Sequence, residues 1–266
     1  MLPASRDIRS FACSGRPFRR DRQPKSHPAM NYCDITLQTP QENLACDEAL
    51  LDLCEDNPAI EVLRFWEASQ HFVVLGYANR VADEVHESFC DFNAIPIYRR
   101  CTGGGAVLQG SGVLNYSLIL PAEGELHNIP STNNYVLKRH QTALAALLKA
   151  PVEIQGHTDL AIGGLKFSGN SQRRKKHCLL FHGSILLHLD IDLVEKALPF
   201  PSRQPDYRLG RSHSDFLMNL KVPAELIKNA LRKSWNATQP LPELPNDQIA
   251  ALAREKYSQP EWNLKF

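Results

Sequence analysis

The chain has 266 residues, of which 43% are hydrophobic and 22% charged, and its formal net charge is +1. This composition is typical of a folded globular protein and gives no reason to expect a general affinity for nucleic acid or a membrane surface. No apolar run in the sequence reaches the roughly eighteen residues of a membrane span. We therefore predict neither nucleic acid nor membrane as a partner.

The N-terminal arm, residues 1–30, differs from the rest in carrying seven Lys or Arg against two Asp. It lacks the apolar core of a secretory signal. An arginine-rich presequence and a true start at Met30 are both compatible with it, and we expect this arm to be disordered. The seven cysteines show no C-x-x-C spacing, which predicts reduced thiols and a cytoplasmic location.

The predicted elements are many strands with interspersed helices. Thr39 and Pro40 are typical of an N-cap and first helical residue. In chain order the sequence predicts strand 34–37, helix 41–55, strands 60–66 and 72–75, helix 81–89, strands 95–98 and 113–120, helix 135–148, strand 159–162, a returning strand from 166, strand 178–190, and helices 192–197, 222–233 and 247–256. The absence of a strict βαβ rhythm favours an α+β fold.

A glycine-rich run follows the strand over 95–98, in the order Arg99-Arg100-Cys101-Thr102-Gly103-Gly104-Gly105-Ala106-Val107. Three glycines expose backbone N–H groups, and paired arginines supply planar donors suited to phosphate or carboxylate. The spacing matches neither the P-loop nor, in its strand-like context, the dinucleotide fingerprint. The run predicts an anion-binding loop, with a flexible hairpin as the alternative.

Two further segments carry polar groups on predicted strands. Lys166-Phe167-Ser168-Gly169-Asn170 begins the strand after the Gly163-Gly164 turn, and its small residues would let a ligand approach the ammonium closely. His182-Gly183-Ser184 interrupts an apolar strand, where a glycine often marks a bulge or a close backbone approach. A lysine at the surface and a histidine in the core are the structural alternatives.

Taken in this order, the three motifs resemble the pattern of the lipoate–protein ligase A-type catalytic domain, within the biotin/lipoate ligase and octanoyltransferase superfamily. The resemblance extends from about Tyr32 to the C-terminus. It implies an α+β fold with a mixed, largely antiparallel central sheet flanked by helices. It also implies one catalytic domain over 31–266, without a large C-terminal accessory domain.

The implied reaction joins lipoate, or octanoate, to a lysine through an acyl-adenylate, using ATP with Mg and no resident metal. The implied acceptor is a lipoyl domain or a glycine-cleavage H-type protein. Lys166 and Asp159 are the implied catalytic residues. The implied substrate-binding and adenylate-binding residues are Arg99, Arg100, Thr102, Gly103, Gly104, Gly105, Ala106, Val107, Gln109, Ser168, Gly169, Asn170, His182 and Gly183.

Three side-chain groups extend this expectation. Apolar residues predicted to hold the acyl chain are Phe72, Val74, Val107 and Leu108. Gln109 stands where the family pattern commonly has histidine, so its role is limited to hydrogen bonding. The basic cluster Arg173, Arg174, Lys175 and Lys176, which Arg203, Arg208 and Arg211 extend, is predicted to face an acidic acceptor, with a solvated hairpin tip as the alternative.

Two alternative functions remain open from sequence. One is an ATP-independent octanoyl or lipoyl transferase with a cysteine nucleophile, for which Cys178 and Cys101 are the candidates. The other is a transferase that accepts preformed lipoyl-adenylate and needs a separate accessory protein.

Overall fold

A computed structural model describes residues 29–266, so most of the predicted basic arm lies outside the described range. The strands are β1 (Met30–Asp34), β2 (Val62–Trp66), β3 (Phe72–Leu75), β4 (Ile97–Arg99), β5 (Val107–Gln109), β6 (Val113–Pro121), β7 (Glu153–Gln155), β8 (Asp159–Ile162), β9 (Leu165–Arg174), β10 (Cys178–Leu186) and β11 (Ala237–Pro240). The helices are α1 (Pro40–Asp56), α2 (Val81–Glu84), α3 (Glu87–Phe92), α4 (Ile129–Leu148), α5 (Ile191–Ala197), α6 (His213–Phe216), α7 (Ala224–Trp235), α8 (Asn246–Leu252) and α9 (Pro260–Asn263).

The strands form one large and one small sheet. The large sheet has eight strands in the order β11-β1-β2-β6-β10-β9-β8-β7, and the small one has three in the order β4-β3-β5. In the large sheet β1 pairs in parallel with β11 and β2, and the other neighbours are antiparallel. The predicted α+β fold with a mixed, largely antiparallel sheet is confirmed.

Helix α1 begins as its sequence predicts. The Thr39 hydroxyl accepts from the Glu42 N–H while the Glu42 carboxylate accepts from the Thr39 N–H, which is a capping box. The helix packs on one face of the large sheet with a core that includes Leu50, Ile119 and Leu180. The buried residues of α1 include Asp47, and a buried carboxylate needs a charged or hydrogen-bonding partner.

Helices α4 and α7 cover the other face of the large sheet, where the core includes Phe65, Phe181 and Leu231. α4 begins at Ile129, six residues before the prediction, because the Asn128 side chain caps it and Pro130 occupies its first turn. Within residues 29–266 no helix is long and apolar enough to cross a membrane.

Several local predictions need correction. The strand expected over 34–37 is Met30–Asp34, and the strand expected over 178–190 ends at Leu186. The helix expected over 81–89 is two short helices, because the backbone at Val85 is extended between them. The strand β5, which immediately follows the glycine-rich run, was not predicted; its three residues pair with β3 and so tie the run to the small sheet. The run therefore leaves β4 and returns to β5, both neighbours of β3.

Candidate active site

A cavity of about 980 Å³ lies where the predicted motifs meet. Its wall combines the glycine-rich run, the start of β9, the middle of β10 and a segment over 201–208. The predicted residues on the wall are Arg100, Gly104, Gly105, Ala106, Val107, Gln109, Asp159, Lys166, Ser168, Gly169, Asn170, His182 and Gly183. Thr102, Gly103 and Arg99 do not contribute to the wall.

The glycine loop, residues 102–106, is shaped by Arg100. Its guanidinium Nη2 donates to the carbonyls of Gly103 and Gly105, and Nη1 donates to the Val74 carbonyl at 3.2 Å. Gly104 has φ +92°, and a Cβ there would stand 2.8 Å from Arg100 Nη2. Burial lowers the pKa of Arg100 to about 10, so the side chain still places a positive charge behind the loop at neutral pH.

Arg99 occupies a different environment, which corrects the expectation that both arginines face a ligand. Neighbouring residues of a strand point to opposite sides, and the Arg99 side chain is fully buried away from the cavity. It donates to the carbonyls of Gly76 at 2.8 Å, Asn79 at 2.7 Å and Trp262 at 3.1 Å. Arg99 therefore joins the C-terminal helix α9 to the small sheet.

Lys166 and Asp159 meet at the cavity wall. Lys166 Nζ lies 2.8 Å from Asp159 Oδ1, and the Tyr207 hydroxyl donates to Asp159 Oδ2 at 2.9 Å. Burial and the neighbouring Asp159 carboxylate raise the pKa of Tyr207, so its hydroxyl remains protonated and is the donor. With 26% of its side chain exposed, Lys166 keeps its ammonium accessible to the cavity.

Two glycines on neighbouring strands permit close side-chain approaches. A Cβ at Gly169 would stand 2.8 Å from Lys166 Nζ, and one at Gly183 would stand 1.8 Å from Asn170 Oδ1. The close approach predicted at Gly183 is therefore confirmed. Gly169 was predicted from sequence as a substrate-binding residue; its position shows that it makes room for the lysine.

The Asn170 amide is engaged within the protein. Its Oδ1 accepts from the Tyr116 hydroxyl at 2.6 Å, and its Nδ2 donates to the Thr158 carbonyl at 2.6 Å. The neighbouring Ser168 hydroxyl is buried. These contacts connect β9 to β6 and to the turn before β8. Together they hold Asp159, the first residue of β8, in place.

His182 lies between helix α1 and the glycine loop. Its Nε2 is 2.7 Å from Thr102 Oγ1, and its Nδ1 is 3.2 Å from Asp47 Oδ2. The other Asp47 oxygen pairs with the buried Arg64 guanidinium at 2.6 Å. Although burial raises the pKa of Asp47, Arg64 and His182 more than offset this and lower it, so Asp47 is ionised. Sequence reasoning missed Asp47 and Arg64, whose signal is a charged residue inside an apolar run.

Gln109 belongs to a closed group of hydrogen bonds on the cavity wall. Its Nε2 donates to Asn115 Oδ1 at 2.9 Å and to Ser184 Oγ at 2.7 Å. Asn115 Nδ2 donates back to Gln109 Oε1 at 2.9 Å, and Ser184 Oγ donates to Asn115 Oδ1 at 2.8 Å. Gln109 therefore acts through hydrogen bonds, and its partners Asn115 and Ser184 were not predicted.

Apolar side chains form two parts of the wall. Val74, Val107 and Leu108 lie on it as predicted, whereas Phe72 is fully buried and does not reach it. Beside Val74 and Val107 stand Leu44 and Trp66, and a second apolar part is formed by Leu186, Leu189, Val194, Leu198, Phe216 and Leu217.

The basic cluster lies around the far end of β9 from Lys166, and none of its four residues lines the cavity. Three of them are engaged within the protein. Arg173 is 3.7 Å from a Glu48 oxygen, Arg174 donates to the Leu126 carbonyl at 2.6 Å, and Lys175 pairs with Asp52. Only Lys176 of the four is exposed. The cluster therefore lies away from the cavity, and its role in facing an acidic acceptor stays a prediction.

The cysteines differ from the prediction of reduced thiols. Cys54 on α1 and Cys178 on β10 form a disulfide, with Cα atoms 6.1 Å apart. Cys101 is buried, and its burial and the nearby Glu48 raise its pKa to about 11, which keeps the thiol protonated. Among residues 29–266, no group of three or more His, Cys, Asp or Glu side chains is placed to hold a metal ion.

The sequence and the structure both match known proteins. Residues 39–226 match the model of the lipoyl protein ligase A/B catalytic domain. The chain is 27% identical to lipoate–protein ligase 1 of Staphylococcus aureus, over 84% of this chain and 70% of that protein. It is 26% identical to the octanoyltransferase LipM of Anoxybacillus flavithermus, over 85% of this chain and 95% of that protein.

Solved structures show the same fold. The bi-partite lipoate protein ligase of Thermoplasma acidophilum, described with its E2 lipoyl domain, is 26% identical with a TM-score of 0.73, and the match covers 88% of this chain and 96% of that one. A lipoate–protein ligase A bound with ATP is 25% identical with a TM-score of 0.73, covering 88% and 99%.

Proposed function

The chain belongs to the lipoyl protein ligase A/B catalytic-domain family, and from this membership we propose that it is a lipoate–protein ligase. It is an enzyme whose relatives are lipoate ligases and octanoyltransferases. One observation carries the choice of a ligase. The Lys166 ammonium and the exposed glycines of the glycine loop share one cavity, while neither candidate cysteine is available as a thiolate.

The first step forms lipoyl-adenylate. A lipoate carboxylate oxygen attacks the α-phosphorus of ATP, which arrives with its magnesium, and the bond to pyrophosphate breaks. Negative charge grows on the phosphate oxygens, where cations and backbone N–H groups lower the barrier most. Lys166, the buried charge of Arg100 and the glycine loop provide this environment.

The second step transfers the acyl group. The neutral acceptor lysine amine attacks the acyl carbonyl, the bond to the phosphate oxygen breaks, AMP leaves, and the nitrogen releases one proton to solvent. Lys166 offsets the charge of the departing phosphate. Asp159 holds the Lys166 ammonium at 2.8 Å, and its carboxylate lies on the same cavity wall that the incoming lysine must approach.

The partners we propose are an acceptor lipoyl domain or glycine-cleavage H-type protein and, for adenylation, a separate accessory protein. The bi-partite ligase of Thermoplasma acidophilum with its E2 lipoyl domain supports both. Lys176 and other exposed cations would attract an acidic acceptor, an effect that fades with salt.

An ATP–pyrophosphate exchange assay with lipoate tests this proposal. Exchange by the isolated chain is expected of an autonomous ligase, and transfer only from supplied lipoyl-adenylate indicates that an accessory protein is needed. Transfer from an octanoyl-carrier thioester without ATP, lost on Cys101→Ser or Cys178→Ser substitution, would contradict the ligase assignment. Competition between lipoate and octanoate for one acceptor then identifies the acyl group.

A further inference from the structure

A continuous chain of hydrogen bonds runs from the sheet interior to the glycine loop. It starts at the Arg64–Asp47 ion pair, where both side chains are almost fully buried. It continues through His182 to Thr102 Oγ1, which lies 3.0 Å from Arg100 Nε. Antiparallel pairing places His182 beside Ser117 and Ser117 beside Arg64, so the chain crosses three adjacent strands on the face that α1 covers.

The chemistry of its two ends favours one arrangement of protons along this chain, in which each side-chain proton between Thr102 and Asp47 has an acceptor. Arg100 can only donate, so Thr102 Oγ1 accepts from Arg100 Nε. Ionised Asp47 can only accept, so His182 carries a proton on Nδ1. The Thr102 hydroxyl then has one proton left, and His182 Nε2 at 2.7 Å is its acceptor. When His182 is neutral and protonated on Nδ1, the Thr102 hydroxyl, both ring nitrogens of His182 and Asp47 Oδ2 all have partners.

The same chain orients the glycine loop. Arg100 Nη2 holds the carbonyls of Gly103 and Gly105. The peptide bonds of the described residues are trans, and in a trans peptide the following N–H points opposite to the carbonyl. The N–H groups of Gly104 and Ala106 therefore point away from Arg100. Neither donates a hydrogen bond to an acceptor within residues 29–266.

We propose that His182 is a positioning residue. As the neutral Nδ1–H tautomer it fixes Thr102, which fixes Arg100, which presents the N–H groups of Gly104 and Ala106 to an anionic phosphate. This proposal rests on the proposed function for the identity of the anion, whereas the tautomer and the loop orientation are independent of it.

Nuclear magnetic resonance of the ¹⁵N-labelled full chain at pH 7.5 tests the tautomer directly. Comparison with the His182→Gln spectrum assigns the ring nitrogens of His182. We expect a protonated Nδ1 and an unprotonated Nε2. A proton on Nε2, with or without one on Nδ1, overturns the proposal, and this measurement needs only the unsubstituted chain.

Two substitutions at one position test the link to the loop. Thr102→Val removes the hydroxyl at nearly constant shape, and Thr102→Ser keeps it. We expect the Val variant to shift the amide resonances of Gly104 and Ala106 and to weaken ATP binding by about three- to tenfold, as for the loss of one hydrogen bond. The Ser variant should restore the resonances. The control is Thr142→Val on α4, where an exposed hydroxyl donates to the Lys138 carbonyl.

The outcomes separate the two proposals. Unchanged Gly104 and Ala106 resonances in Thr102→Val overturn the positioning role, whatever the reaction is. If the unsubstituted chain does not bind ATP while the tautomer and the Val-induced shifts are observed, the proposed function fails and the positioning role stands. Should Thr102→Val not fold, the tautomer in the unsubstituted chain decides the question.

Discussion

The Lys166 side chain lies across Gly169, so that a single added Cβ at position 169 would stand 2.8 Å from Nζ and 2.9 Å from Cε. The two residues are three apart on β9, and the Lys166 ammonium reaches Asp159 on the neighbouring strand β8. Gly169 therefore leaves the space that the end of the Lys166 side chain occupies. This relationship gives a direct way to displace the lysine charge without removing it.

Gly169→Ala is expected to lower the adenylation rate by about tenfold or more, because the ammonium must leave its position on the cavity wall beside Asp159. It should change the free energy of unfolding by less than about 1 kcal/mol, because the atoms that must move are the flexible end of the Lys166 side chain. A double-mutant cycle with Lys166→Ala provides the control. If any cost of Gly169→Ala in stability persists without the lysine side chain, contact with Lys166 is not its cause.

Lys166→Met is expected to reduce pyrophosphate exchange by about 10²-fold or more, since a preorganised charge near the phosphate is lost. Stability should change by less than about 1 kcal/mol, because the ion pair with Asp159 is partly solvated. The matched control is Lys176→Met, an exposed lysine just beyond the same strand. Equal exchange rates in the two variants would remove Lys166 from the mechanism.

The Cys54–Cys178 disulfide closes a loop with a sequence separation of 124 residues. Cys178→Ser should lower the free energy of unfolding by about 2–4 kcal/mol under oxidising conditions and leave the acyl transfer rate within about twofold. Denaturant unfolding with and without a thiol reductant measures the first effect. A variant as stable as the parent in both conditions would show that the disulfide does not form in solution.

His140 is expected to make the fold acid-sensitive. Burial, together with the nearby Arg139, lowers the pKa of His140 to about 3, and its Nε2 accepts from Trp235 Nε1 at 2.8 Å. The unfolded chain takes up this proton near pH 6.5 whereas the folded chain does not. The free energy of unfolding is therefore highest above pH 6.5. It falls by about 1.4 kcal/mol per pH unit as the pH decreases toward 3.

Denaturant unfolding between pH 6 and pH 4.5 measures this slope, and His140→Phe is expected to flatten it even though it is less stable at pH 7. A slope that is unchanged in His140→Phe would assign the acid sensitivity to another group.

Arg99→Met is expected to lower the free energy of unfolding by roughly 3–5 kcal/mol, because the buried carbonyls of Gly76, Asn79 and Trp262 lose their donor. Chemical denaturation measures the loss. Arg100→Met provides the comparison, because Arg100 orients the glycine loop and its loss should weaken ATP binding in protein that is still folded. Similar ATP affinity in both folded variants would contradict this division of roles.

Capping and turn signals in the sequence were sufficient to predict the elements that are determined by neighbouring residues in the chain. Thr39, Pro40 and Glu42 determine where α1 begins, and the Gly163-Gly164 pair determines the turn that brings Lys166 beside Asp159. The ordered motifs determined the family and the fold. Most of the residues that they predicted to be catalytic or substrate-binding lie on the cavity wall.

Only the tertiary structure decided how neighbouring residues with the same chemistry divide their roles. Arg99 and Arg100 are adjacent and identical in type, yet strand alternation and the packing of α9 direct Arg99 to the carbonyls beside α9, while Arg100 shapes the loop. Asp47 lines the cavity, with Arg64 as its buried partner, because α1 packs over β6 and β10. Such contacts join residues far apart in sequence, and hydrogen bonds and ion pairs between them leave no periodic pattern in the chain.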